Sequence, residues 1–189
     1  DKEESKELIS EAVKEAGNAD AVIYVGGLKH EAEELQLQDN ALSVNKDEEI
    51  KRRIDSEGYD RSDMKLPYNQ DELIKEVLKA NKNTVIVISS GSPVDMSEWI
   101  DDADSVVQTW YNGMEGGRAL AEVIFGDVNP SGKLTVTFPR KLEDSPAHKF
   151  GEFPGGKTVN YGEGVFVGYR YFSTYDVKPL FCFGHGLSY

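Results

Sequence analysis

Hydrophobic residues fall along the chain in two alternating patterns, short continuous runs and stretches with helical spacing. Continuous apolar runs predict buried strands at 21–25, 84–88, 105–110 and 134–138. Apolar residues three and four positions apart predict amphipathic helices at 2–16, 69–80 and 113–125. A last strand is predicted at 165–171. The order of these elements is strand, helix, strand for most of the chain.

Strands that alternate with helices need crossover connections, which favour a parallel sheet with helices on both faces. We therefore predict an α/β fold in a single domain, 1–189. Ligands of such sheets bind at the loops that follow the carboxyl ends of the strands. Here those loops begin at Gly26, Ser89 and Trp110. Two segments depart from the pattern: 28–56 predicts a long acidic loop insertion, and 141–164 an irregular wrapping segment.

Composition narrows the class of protein. The 189 residues include 34 acidic and 21 basic side chains, a formal net charge of −13, and 39% are hydrophobic, enough for a core. An acidic chain without a basic face is a poor nucleic-acid partner. No apolar run approaches the roughly 20 residues that span a bilayer, so no membrane partner is expected. The opening residues do not form a signal-peptide pattern, and the sequence leaves the compartment open.

Several kinds of site are disfavoured. The chain has no Walker loop, no dinucleotide-binding glycine pattern and no nucleophile elbow of a serine hydrolase. His30, His148 and His185 lack the spacing of metal ligands. The single cysteine, Cys182, stands between two phenylalanines and is predicted to be a buried, inert thiol. We expect neither a cofactor nor a metal.

One loop offers a candidate carboxylate. Glu57 is followed by glycine, so its carboxyl group can be presented at a loop tip without steric cover. Asp60, by like charge, and Arg61, by opposite charge, could tune its pKa. A general acid needs a raised pKa and a carboxyl group that is exposed to the substrate, whereas a solvated loop glutamate needs neither. The residues alone leave both interpretations open.

Motifs across residues 18–189 resemble, in order, the second domain of family 3 glycoside hydrolases, the β-glucosidase-like enzymes. They are Ser-Glu-Gly-Tyr-Asp-Arg-Ser-Asp-Met-Lys-Leu-Pro at 56–67, Gly-Ser-Pro-Val at 91–94, Trp-Tyr-Asn-Gly-Met-Glu-Gly-Gly at 110–117, Gly-Asp-Val-Asn-Pro-Ser-Gly-Lys-Leu at 126–134, Val-Gly-Tyr-Arg-Tyr-Phe at 167–172 and Phe-Gly-His-Gly-Leu-Ser-Tyr at 183–189. Each match is weak by itself. Their shared order makes the resemblance specific.

The resemblance implies a three-layer α/β/α sandwich with a mostly parallel six-stranded sheet, following an N-terminal (β/α)8 barrel. It also implies retaining, exo-acting hydrolysis of terminal β-linked sugars such as glucosyl residues. In this family the barrel supplies an aspartate nucleophile and the sandwich supplies the acid/base glutamate, which by motif match is Glu57. No residue here matches the nucleophile motif, so we expect this chain alone to be inactive and the barrel to be its partner. A homo-oligomer remains open.

Other residues of these motifs have two interpretations each. Trp110 and Tyr111 stack on a sugar ring or pack between domains. Asp60 and Arg61 shape the active-site loop or form a local ion pair that fixes the geometry of this loop, and we favour the ion pair. Glu115 is a second acid/base candidate or lies at a helix N-terminus, where negative charge is favourable. Many relatives have a shorter link before the Glu57 motif; the longer one here contains rival carboxylates, Glu31, Glu33, Glu34, Glu48 and Glu49.

Two other functional classes compete with the glycosidase hypothesis. One is a non-catalytic carbohydrate-binding or assembly domain of the same fold. The other is a flavodoxin-like cofactor binder, which the missing phosphate-binding loop disfavours.

Overall fold

The computed structural model describes residues 2–28, 61, 63–153 and 155–189. Its strands are β1 (Val22–Gly27), β2 (Thr84–Ser89) and β3 (Ser105–Gln108). Its α-helices are α1 (Lys2–Asn18), α2 (Gln70–Ala80), α3 (Gly116–Ile124), α4 (Pro146–Lys149) and α5 (Tyr169–Thr174), and single 3-10 turns lie at Ile100–Asp102 and Leu142–Asp144. The predicted wrapping segment therefore contains α4 and one 3-10 turn.

The strands form a parallel sheet in the order β1-β2-β3. Val22 pairs with Thr84 and Gly27 with Ser89, so β1 and β2 end at the same edge. The predicted α/β class and parallel sheet are confirmed. The predicted six strands are not, since the sheet of the described residues has three.

The predicted strand at 134–138 forms only one antiparallel bridge, between Phe138 and Phe181. Backbone hydrogen bonds join Leu134 to Gly184 and His185, so this segment runs beside 180–185 without becoming a ladder. The predicted strand at 165–171 is wrong. Gly168 has a φ of 56°, which breaks an extended run, and α5 begins at Tyr169.

The core lies around the central strand β2, whose side chains at 86–88 are buried. A strand buried on both faces reads as a continuous apolar run, which is why the sequence revealed it. Helix α2 contacts β1 and β2, and α1 packs against α2. The buried cluster consists of Leu66, Ile74, Leu78, Ile86, Ile88, Val94, Met96, Trp99 and Phe138.

Two predicted burials are wrong. Cys182 is exposed, because Phe181 packs on the core and the neighbouring side chain of an extended segment faces the opposite way. An amphipathic helix is expected to bury its apolar face, but α3 has no buried residue, and Phe125, the last residue of the predicted helix 113–125, is 75% exposed.

Asp71 accepts a hydrogen bond from Trp99 Nε1 at 2.9 Å. Burial raises the pKa of the Asp71 carboxyl above its ordinary value; the bond from Trp99 opposes this shift, and the Glu98 carboxylate adds to it. The folded chain thus holds this proton more tightly than the unfolded chain does. The Asp71 carboxyl therefore stabilises the folded state at a pH below its pKa in the unfolded chain, which is near 4. This stabilisation is lost as the pH rises through the raised pKa of Asp71 in the folded chain.

We therefore predict that Asp71→Asn, which keeps an oxygen for Trp99 Nε1, removes this loss. The thermal midpoint of the variant minus that of the wild type should increase from pH 4 to pH 7. Differential scanning calorimetry of both chains at half-unit pH steps measures this difference. A difference that is flat or decreases with pH would contradict the assignment.

Candidate functional site at the carboxyl ends of the strands

The carboxyl ends of β1, β2 and β3 lie at one edge of the sheet, as the parallel order requires. Three described segments meet there: the end of β1 with Leu28, the loop 89–93 and the loop 109–111. The loops of this edge are those that the alternation of strands and helices predicted to bind ligands. Arg61, which follows the Glu57 motif, also reaches this edge.

The end of β1 is held by one side chain of α2. Gln70 Oε1 accepts hydrogen bonds from Gly27 N at 2.8 Å and from the Tyr24 hydroxyl at 3.0 Å. Gln70 Nε2 donates to Gly27 O at 2.9 Å. Burial and the Asp71 carboxylate raise the pKa of Tyr24, so its hydroxyl keeps the proton that it donates.

Arg61 is held by the loop after β2. Its Nη1 donates to Ser92 Oγ at 3.1 Å and to Pro93 O at 3.3 Å, and its Nη2 donates to Lys65 O at 2.9 Å. Asp95 N also donates to Met64 O at 2.7 Å. The chain that enters α2 is therefore fixed to the sheet edge.

The loops after β2 and β3 are joined by polar contacts. The buried Ser90 accepts from Gln108 Nε2 through both its carbonyl oxygen and its Oγ, each at 3.0 Å. Ser89 Oγ donates to Trp110 O at 2.9 Å. These bonds fix the backbone from which the two aromatic candidates project.

The two aromatic candidates have different surroundings. Trp110 packs against the core and meets Phe138 edge to face, with centroids 6.2 Å apart. The ring of Tyr111 lies over Gly91, where a Cβ would come within 2.6 Å of it, and Tyr111 is 56% exposed.

A cavity of about 730 Å³ opens beside Tyr111. Arg61, Ser92 and His148 are among its polar lining residues, and Tyr169 and Phe183 are among its aromatic ones. The rings of Tyr169 and Phe183 stack on each other at 5.3 Å. The cavity thus lies next to Arg61 and the loop after β2 that Arg61 bonds.

The other predicted site residues divide into two groups. Glu115 is the residue at the N-terminus of α3, as the cap interpretation expected, although its side chain makes no capping hydrogen bond. Glu57, Asp60 and the loop 29–56 with its rival carboxylates lie outside the described residues. The described part of the chain contains no cluster of three or more His, Cys, Asp and Glu side chains that could hold a metal ion. None of the helices described is long and apolar enough to cross a membrane.

The model of the glycosyl hydrolase family 3 C-terminal domain matches residues 2–189. The chain belongs to this family. Among its relatives, a beta-glucosidase of Bacteroides ovatus is 46% identical over 185 residues, which are 96% of this chain and 22% of that protein. Thermostable beta-glucosidase B of Acetivibrio thermocellus is 44% identical over 97% of this chain and 21% of its own length.

Solved structures agree with this family 3 assignment. The beta-glucosidase of Kluyveromyces marxianus in complex with glucose has a TM-score of 0.81 and 43% identity, covering 97% of this chain and 19% of that one. The beta-glucosidase of Bifidobacterium adolescentis has a TM-score of 0.79 and 43% identity, over 97% of this chain and 24% of that one. This family 3 domain spans about a fifth of the length of the relatives that it matches.

Gln70 is a structural residue of this edge that the sequence motifs did not indicate. The available signal was a glutamine at the first position of a helix that follows a strand ending in Gly26 and Gly27. A side-chain amide can pair with a backbone that glycine leaves open.

Proposed function

We propose that this chain is the C-terminal part of a retaining, exo-acting β-glycosidase that hydrolyses terminal β-linked glucosyl residues. The family match over residues 2–189 carries the proposal. Identity of 43–46% to beta-glucosidases that are about five times longer supports a partner region outside this chain. We propose that this region is an N-terminal (β/α)8 barrel that supplies an aspartate nucleophile.

In this proposal Glu57 is the acid/base residue. The barrel aspartate attacks C1 of the glucosyl residue while Glu57 protonates the departing glycosidic oxygen, giving a covalent glycosyl-enzyme. Glu57 then takes a proton from the water that attacks C1, and the aspartate leaves. The two carboxyl groups of a retaining pair lie about 5–5.5 Å apart.

The anchoring of Arg61 supports a role of Glu57 at the sheet edge. Four peptide units separate the two residues, and four units extend at most about 14 Å. The Arg61 guanidinium is bonded to Ser92 and Pro93, so chain length alone keeps the Cα of Glu57 within this distance of the Cα of a residue held by the loop after β2. We assign Arg61 a loop-shaping role on these contacts, and propose that Asp60 shares it.

Of the two aromatic candidates, Tyr111 is better suited to contact a sugar. An aromatic ring that packs on the apolar face of a pyranose must be accessible, and the Tyr111 ring is exposed beside the cavity. The Trp110 ring is engaged with Phe138 and the core. We propose that Trp110 supports the loop from which Tyr111 projects.

The proposal predicts that the 189-residue chain alone does not hydrolyse aryl β-glucosides, because it lacks the nucleophile. The same chain joined to its barrel should turn them over at the rates usual for enzymes, about 1–10³ per second. Release of 4-nitrophenol by both proteins at equal concentration measures the difference.

Two outcomes would contradict this division of the active site. Turnover by the pure chain would place a nucleophile within it. A full-length protein that binds glucose or cello-oligosaccharides by calorimetry but hydrolyses no β-glycoside would favour the non-catalytic carbohydrate-binding domain.

A further inference from the structure

Two aromatic rings from distant segments line the cavity beside Tyr111. Tyr169 is the first residue of α5, and Phe183 lies in the segment that runs beside residues 134–138. The two rings stack with their centroids 5.3 Å apart and 27° between their planes. Tyr169 is 46% exposed and Phe183 is 52% exposed. Since both residues line the cavity, the pair presents aromatic surface to it.

Both rings project from anchored backbone. In α5, Tyr171 and Phe172 are buried, so the helix that carries Tyr169 is fixed to the rest of the chain. Next to Phe183, Gly184 N donates to Leu134 O at 2.8 Å. The aromatic pair is therefore in place before a ligand arrives, which lowers the entropic cost of binding.

The cavity also offers uncharged hydrogen-bonding groups. Ser92 Oγ accepts from Arg61 Nη1, and none of the described residues accepts the Ser92 proton, so this hydroxyl has a donor for a ligand. The imidazole nitrogens of His148 form no hydrogen bond with the described residues, and the ring packs edge to face on Phe153 with centroids 4.8 Å apart. A neutral imidazole has one donor and one acceptor. The cavity lining thus supplies donors and an acceptor beside the aromatic pair.

The charges of the lining favour a neutral ligand. Its described residues include both a carboxylate, Asp63, and a guanidinium, Arg61. The Arg61 guanidinium already donates to Ser92 Oγ and to two carbonyl oxygens. The cavity volume of about 730 Å³ is typical of small-molecule sites, which measure roughly 300–1,000 Å³.

We propose that this cavity is a carbohydrate-binding site. A neutral pyranose ring has an apolar face of C–H groups, which the negative face of an aromatic ring attracts, and hydroxyl groups around its edge. The C–H face packs on Phe183 and Tyr169, and the hydroxyl groups bond His148 and Ser92. The site contributes binding and no chemistry. It does not depend on the proposed hydrolysis, because every residue that forms it belongs to the described part of this chain.

The test uses the 189-residue chain, labelled with ¹⁵N, and cellobiose as the probe. Gly91 and Gly168 line the cavity, whereas Gly17 lies at the end of α1, away from it. Amide spectra recorded during a titration should show saturable shifts for Gly91 and Gly168 and none for Gly17. Sorbitol is the matched ligand control, since it has the hydroxyl groups of a sugar without the ring, and it should produce no saturable shift.

Substitutions at the aromatic pair locate the sugar more closely. Phe183→Ala should weaken cellobiose binding by roughly 5–20-fold, the effect expected from the loss of an aromatic contact. Phe183→Leu keeps an apolar side chain without an aromatic face, so it should weaken binding by at least about threefold. Phe125→Ala removes an exposed aromatic ring that does not line the cavity and should leave binding unchanged. Circular dichroism of each variant confirms that it is folded.

Three results would overturn the inference. One is the absence of saturable shifts at Gly91 and Gly168 over the solubility range of cellobiose. Another is wild-type affinity in the folded Phe183→Ala or Phe183→Leu chain, which would remove the aromatic contact from the site. The third is a saturable effect of sorbitol equal to that of cellobiose. Failure here is distinguishable from failure of the proposed function, because the latter is decided by hydrolysis in the full-length enzyme.

Discussion

Glu57→Ala in the full-length enzyme should lower kcat/KM for phenyl β-glucoside by about 10²–10⁴-fold, the usual contribution of a general acid. The loss should be small for 2,4-dinitrophenyl β-glucoside, whose leaving group needs no proton. Turnover of the latter substrate should then be limited by hydrolysis of the glycosyl-enzyme, since water has lost its general base. Stopped-flow release of dinitrophenol should show a burst followed by a slow steady state.

Added azide provides the diagnostic control. Azide attacks the glycosyl-enzyme without giving up a proton, so it should restore the steady-state rate and yield β-glucosyl azide with retained configuration. Glu115→Ala is the matched carboxylate control, because Glu115 lies at the start of α3 without a capping hydrogen bond. Wild-type kinetics for Glu57→Ala, or azide rescue of Glu115→Ala instead, would move the acid/base role to another carboxylate.

Trp99→Ala should destabilise the chain by about 3–5 kcal/mol, the usual cost of removing a large aromatic side chain from a core. Trp99 is 1% exposed and belongs to the cluster that joins α2 to the sheet. Its removal leaves a cavity between these elements and removes the donor to Asp71. Urea unfolding followed by far-ultraviolet circular dichroism measures the change in the free energy of unfolding.

Trp99→Phe separates the two contributions. Phenylalanine fills most of the same volume but has no N–H, so the half-buried Asp71 loses a partner at a cost of about 1–3 kcal/mol. The phenylalanine variant should therefore be clearly more stable than the alanine variant. Equal destabilisation by the two changes would mean that the hydrogen bond, and not the packing, makes Trp99 important.

The sequence predicted most closely the elements that contribute to the buried cluster. The predicted helix at 69–80 is observed at 70–80, and the predicted strand at 84–88 at 84–89, since both have an unbroken apolar pattern. The prediction failed at 165–171, where Val165, Phe166 and Val167 read as a strand. These side chains are exposed or nearly so, and no strand lies beside them in the described structure. An apolar run in the sequence forms a strand only where another strand is available to pair with it.

The candidate site shows the same limit. Its location at the carboxyl ends of the strands followed from the alternation of strands and helices, and Glu57 followed from a family motif. The partners of Arg61 and Gln70 did not follow. Arg61 bonds residues 31 and 32 positions away, and Gln70 bonds residues 43 and 46 positions away. Such contacts depend on tertiary packing, which no local pattern encodes.

The chain contains two tryptophans, and they occupy different environments. Trp99 lies in the core, and Trp110 lies at the sheet edge with an indole ring that is only partly buried. In the isolated Trp99→Phe chain, all indole fluorescence comes from Trp110. Its emission wavelength and its quenching by iodide then report the solvation of the loop beside Tyr111, so a sugar or a barrel that covers this edge is detectable without a label.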